Sequence, residues 1–237
     1  IVIVATGNVA HQHFVDLVGP SFEEVKPGNS FSERVTPQPK SVTTVCRRPI
    51  EQVHVCLGAR GVSVTDPRRY ALSLMNTILG GNMSSRLFQE IREKHGLAYA
   101  VYSYNSSHAD TGLFGIYAGV GPHNVGTALG LIETAIGRLC HEKIDVGELQ
   151  DAKEFIKGGV LLSAESVENQ MVRAAQNEFH FGRAVPLTDI VANIEAVTVD
   201  DINTLARELF VEAPFASTLL GPVPETLVVE NLRIESQ

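Results

Sequence analysis

The chain has 237 residues, 44% of them hydrophobic and 19% charged, with a formal net charge of −8. That length builds one large or two small domains, and the acidic balance argues against nucleic acid and anionic membranes as main partners. The cysteines, Cys46, Cys56 and Cys140, are odd in number and lack CxxC spacing, which predicts reduced, buried thiols and a cytoplasmic setting. No apolar run reaches the roughly 18 residues of a membrane span.

In chain order, Ile1–Thr6 predicts a buried strand. Asn8 then caps a helix running to about Phe22, with Phe14, Leu17 and Val18 on one face. The apolar opening, without an initiator methionine, reads as the interior of a longer protein. Residues 23–41 hold three prolines and little periodicity, which predicts a linker. Everything from 42 to 237 reads as one domain. Strands are expected near 42–47 and 51–60, the second alternating Val53, Val55 and Leu57 with His54, Cys56 and Gly58. Asp66-Pro67 opens a helix that ends at Gly80. A second helix covers about 84–95, followed by strands at 98–107 and 111–121.

Helices dominate the remainder. Leu129, Ile132, Ile136 and Leu139 form one stripe. Asp145 with Glu148, Ser166, and Thr198 with Asp201 are helix-start signals, and Ala216–Leu220 is a final strand. Strands and helices come in blocks, without βαβ alternation. The pattern predicts an α+β two-layer sandwich, a mixed and mostly antiparallel sheet with helices packed on one face.

No intrinsic metal site is expected. A zinc-hydrolase helix needs two histidines four apart with a glutamate between them, and none of the eight histidines is so placed. His11 and His13 point about 200° apart on a helix. There is no GxSxG and no phosphate-binding glycine loop. What stands out is Arg92-Glu93-Lys94-His95-Gly96-Leu97-Ala98-Tyr99. Arg92 sits in the last turn of a predicted helix, Gly96 supplies a left-handed turn, and Tyr99 starts a strand. Helix–turn–strand geometry can bring both side chains to one edge. There, guanidinium and phenol donors could hold a peptide carbonyl. An arginine complementing a helix C-terminus and an ordinary strand tyrosine explain the same residues without function.

The run Gly80-Gly81-x-x-Ser84-Ser85-Arg86-Leu87-Phe88-Gln89-Glu90-x-Arg92-Glu93-Lys94-x-Gly96-Leu97-Ala98-Tyr99 resembles the second half of the pitrilysin-type zinc peptidases, which include the mitochondrial processing peptidases. Gly7-Asn8-Val9, Glu165-Ser166, Gly182-Arg183, Ile194–Asp201 and Gly221-Pro222-Val223 fall where that family has like segments. The resemblance implies that residues 1–22 are the end of a first domain, whose inverted His-x-x-Glu-His motif would hold zinc outside this chain. It implies that 42–237 is the second domain. Arg92 and Tyr99 would be its catalytic and substrate-binding residues, Tyr99 donating to the developing oxyanion and Arg92 holding the substrate backbone. Gly80, Gly81 and Asn82 match the position of a substrate-contacting glycine loop, here much shorter. The implied activity is zinc metalloendopeptidase action on peptides or unfolded segments, with this chain alone inactive. The implied partners are a peptide substrate, the protein's own first domain, and a homodimer whose site assembles in trans. The family also has members that bind no zinc, so a structural or assembly subunit is the alternative. A further reading is a peptide-binding module that adds a substrate strand to an exposed sheet edge.

Overall fold

The computed structural model describes residues 1–26, 28, 35–213 and 215–227. Five strands form one sheet, in the order β1-β5-β2-β4-β3. They are β1 (Thr43–Arg47), β2 (Val53–Gly61), β3 (Ala98–Ser107), β4 (Gly112–Val120) and β5 (Ala216–Gly221). β1 and β5 are parallel, and every other pairing is antiparallel. This is the mixed, mostly antiparallel α+β sheet that the block order of elements predicts.

The helices are α1 (His11–Val18), α2 (Arg69–Leu79), α3 (Val125–His141), α4 (Val146–Ser163), α5 (Val167–Phe181), α6 (Leu187–Ala196) and α7 (Val199–Arg207). Strand alternation sends Val53, Val55 and Leu57 of β2, and Phe114, Ile116 and Ala118 of β4, into the core. There they meet Leu74, Met75 and Ile78 of α2, Ile132 and Ile136 of α3, and Ile202 and Leu205 of α7. Among the described residues, the helices therefore cover one face and leave the other open.

Most helix-start signals act as expected. Ser166 accepts from the Asn169 N–H, and Thr198 and Asp201 close a full capping box. At α4 the box is half made. Asp145 accepts from the N–H groups of Gly147 and Glu148, but the Glu148 carboxylate turns away to Arg86. A charge-assisted pair outcompetes the weaker bond back to the cap.

Three local expectations are corrected. Ile1–Thr6 is not a strand, because none of the sheet's edges takes it up. The first helix begins at His11 after Ala10, not at Asn8, and its cap makes no side-chain hydrogen bond. Residues 86–94 wind mainly as a π-helix, Phe88–Lys94, and not as a regular α-helix. The expected linker lies partly outside the described residues, and of the three thiols expected to be buried only Cys140 is, Cys46 and Cys56 standing exposed in β1 and β2. The N-terminal segment touches the rest through Thr6, whose hydroxyl donates to the Val167 carbonyl at 2.9 Å.

Candidate functional site

The π-helix and β3 bring Arg92 and Tyr99 together. Gly96, at φ 61°, reverses the chain between them. Its N–H bonds the Arg92 carbonyl at 3.1 Å, and the Leu97 N–H reaches the Ile91 carbonyl at 2.9 Å. A β-carbon at that φ is strained, which is why glycine stands there. β3 then pairs Ala98 with Val120 and Ala100 with Gly119, so Tyr99 is the extra residue of a β-bulge. The bulge takes Tyr99 out of the in–out alternation and leaves it 78% exposed.

Arg92 folds back over that residue. Its Nη1 donates to the Tyr99 carbonyl at 2.8 Å. Its guanidinium carbon lies 4.6 Å from the Tyr99 ring centroid and 4.9 Å from that of Phe88. The guanidinium thus lies within cation–π reach of both rings. The Tyr99 hydroxyl has no hydrogen-bond partner among the described residues. The arrangement presents one phenolic donor and a stacked cation at the rim of the sheet, suited to an anionic or carbonyl oxygen.

Two supports were not legible as such in the sequence. Phe88 is four residues before Arg92 and stacks on it, a spacing that helical geometry makes adjacent. Arg86 clamps the start of the π-helix to α4 through a two-pronged pair, Nε to Glu148 Oε1 at 2.8 Å and Nη2 to Oε2 at 2.7 Å. The partners are 62 positions apart, so no local spacing announces them.

Gly80 sits where α2 meets β3. A Cβ there would collide with Ser103, whose N–H donates to the Gly80 carbonyl at 3.1 Å. A Cβ on Gly81 would crowd the backbone of Asn76 and Thr77 at 3.0 Å. Asn82 is used locally, its side-chain oxygen accepting from the Ser84 N–H at 2.8 Å. The glycines thus dock a helix end onto β3. Together with Arg92 on the Tyr99 carbonyl, they occupy the outer edge of β3 between 99 and 103. At those positions an added strand would have to displace these bonds, while β1 forms the sheet's other edge.

A family model described as peptidase M16 inactive domain matches residues 1–156. The chain belongs to the M16 peptidase family. It is 36% identical over 233 residues to an uncharacterized zinc protease of Streptomyces coelicolor, covering 95% of this chain and 50% of that protein. It is also 36% identical over 222 residues to the uncharacterized zinc protease YmxG of Bacillus subtilis, covering 94% of this chain and 54% of YmxG. The M16 inactive domain from Pseudomonas fluorescens superposes with a TM-score of 0.83 at 23% identity, over 94% of this chain and 54% of that one. A protease from Helicobacter pylori gives 0.78 at 24%, over 92% and 54%. The pitrilysin-type, second-half resemblance read from the sequence therefore holds, and so does the fold. The chain spans about half the length of the curated relatives it matches.

Among the described residues the donors do not fit zinc. Among the described residues no group of three or more His, Cys, Asp or Glu could hold a metal ion. No helix among them is long and apolar enough to cross a membrane.

Proposed function

We propose that this chain is the substrate-side half of a metalloendopeptidase acting on peptides or unfolded segments. The observation that carries the reading is the bulged Tyr99 with Arg92 stacked on it and bonded to its carbonyl. The bulge aims a phenolic O–H outward, and the two ring faces hold the guanidinium in register with it. Tyr99 then donates to the carbonyl oxygen of a bound peptide as negative charge develops there. Arg92 fixes Tyr99 and offers its outer N–H groups to the peptide backbone. Gly81 and Asn82, at the turn that Gly80 docks beside β3, flank the same path.

The relatives' names as zinc proteases support a metal-dependent activity of the intact protein. The proposal assigns the ion to a part of the protein other than this chain's described residues, and no step here runs through it. The partner domain is supplied in cis or across a homodimer. This chain alone is then inactive as a peptidase.

The test is Tyr99→Phe in the intact protein. Loss of one such donor costs about 2.7–4 kcal/mol, a fall in kcat on the order of 10²–10³. Thermal stability should hardly move, because the hydroxyl is exposed and unpartnered among the described residues. Unchanged kcat/KM would remove Tyr99 from the chemistry. An intact protein with no peptidase activity would favour the alternative, a non-catalytic structural or assembly subunit.

A further inference from the structure

The stretch that carries Arg92 is pinned at both ends. Downstream, the Gly96 N–H bonds the Arg92 carbonyl at 3.1 Å and the Leu97 N–H bonds the Ile91 carbonyl at 2.9 Å. Upstream, just before the π-helix begins at Phe88, Arg86 grips α4. Its Nε meets Glu148 Oε1 at 2.8 Å and its Nη2 meets Oε2 at 2.7 Å. Between the pins, Leu87 and Ile91 are fully withdrawn from water. Their four-residue spacing places them on one face of an α-helix, and the wider π turn keeps them neighbours. Burial of these two therefore does not choose the winding. Apolar burial is also non-directional, so it holds the segment down without fixing its rotation. A two-pronged arginine–carboxylate pair has a direction.

This pair is poorly suited to cohesion. Glu148 gives up the capping-box bond at the start of α4, where Asp145 alone serves the Gly147 and Glu148 N–H groups. Arg86 Nη1 is withdrawn from solvent and has no hydrogen-bond partner among the described residues. The two side chains are only 17% and 32% exposed. For a pair so far withdrawn, desolvation offsets much of the attraction, and apolar replacements of similar volume are often neutral or stabilising. Lys94–Glu90 and Arg138–Glu142, two nearby ion pairs, join residues four apart along the chain and cannot place one element against another. Arg86 and Glu148 are 62 positions apart and do so.

The path from Arg86 to the site is short. Phe88 stands next but one in the chain, and the Arg92 guanidinium carbon lies over its ring, 4.9 Å from the centroid. From there Arg92 Nη1 reaches the Tyr99 carbonyl at 2.8 Å. A rotation of the segment that leaves Leu87 and Ile91 buried would carry Phe88 and Arg92 together off the bulge.

We propose that Arg86 and Glu148 are positioning residues. Their fork sets the rotation of the π-helix and so keeps Arg92 over the Phe88 and Tyr99 rings, with little gain in stability. That this geometry serves a bound peptide rests on the reading given above. The geometric claim itself does not.

The 237-residue chain, labelled with heavy nitrogen, tests it by NMR through the Nε–H signal of Arg92, assigned by its loss in Arg92→Lys. Aromatic faces shield a proton held over them, so in the parent this signal should lie upfield of those of solvated arginines. Arg86→Met combined with Glu148→Leu removes the fork while roughly keeping its volume. The expected result is an Arg92 signal returned to the solvated range, with a urea midpoint equal to the parent's or higher. Arg86→Lys keeps the charge but not the fork, and it should move the signal the same way. A parent signal already in the solvated range overturns the proposal, as does a signal that stays shielded in either variant. A double variant that loses stability makes the pair an ordinary structural bond and overturns it too. No turnover is read. A Tyr99→Phe result that removes the catalytic reading therefore leaves this measurement to stand or fall alone.

Discussion

One sheet shows two opposite solutions on its two faces. The face under the helices is built from branched aliphatic residues and Phe114, nearly all withdrawn from water. The open face alternates with it residue by residue, but it is not the lysine- and glutamate-rich surface that solvation alone favours on an antiparallel sheet. It carries tyrosines, a histidine, glycines and no carboxylate. The comparison teaches that the first face is designed for cohesion and the second for contact with something other than water.

The difference can be broken in measurable steps. Phe114→Ala, at 1% exposure, should cost about 3–5 kcal/mol in urea unfolding, through lost transfer energy and a residual cavity. Tyr104→Ala on the opposite face should cost about 1 kcal/mol or less, since its ring is partly solvated. Similar losses for the two would erase the distinction. Next in size is Gly115→Ala. Its methyl must push the Tyr104 ring off the sheet, for about 1–3 kcal/mol. Combined with Tyr104→Ala the loss should largely vanish, and a cycle with no coupling would show that the ring does not rest on this glycine.

The smallest effect lies away from both faces, at the start of α7. The Thr198 hydroxyl donates to the Asp201 carboxylate at 2.7 Å and its backbone N–H at 2.8 Å. The side-chain bond, followed by the backbone one, holds Asp201 below the usual carboxylate range. A depressed folded value means that the cap contributes fully above the unfolded carboxylate pKa, near 4, and that its contribution is lost as pH falls through the lower folded value. Thr198→Ala should therefore cost about 1 kcal/mol at neutral pH, and the gap to the parent should narrow in acid. A gap that widens on acidification contradicts the capping box as the cause.

Much of this was legible in residue order. The α2 stop at Gly80, the stripe of Leu129, Ile132, Ile136 and Leu139 on α3, and the Thr198–Asp201 cap follow from local rules, and all appear in the structure. Local reasoning failed where the outcome depends on distant partners. Ile1–Thr6 has the composition of a strand but no neighbouring edge to join. Glu148 leaves its cap because Arg86 arrives from another element. The stretch before Gly96 keeps a helical pattern but widens to a π-helix, which no propensity distinguishes from an α-helix.

By itself the sequence determined the five sheet strands and most helices from residue 42 on, the family motif and the pairing of Arg92 with Tyr99 across a glycine turn, because those rest on periodicity and on contacts a few residues apart. Only the tertiary structure decided that Tyr99 is a bulge residue, that the Arg92 guanidinium lies over both the Phe88 and Tyr99 rings, that Arg92 and Gly80 bond to the outer side of β3, and that His54, Tyr102, Tyr104 and Tyr117 share one face. The physical reason is register. A strand's alternation says which residues share a face, but which strands lie side by side, and at what offset, is set by pairing across the whole sheet.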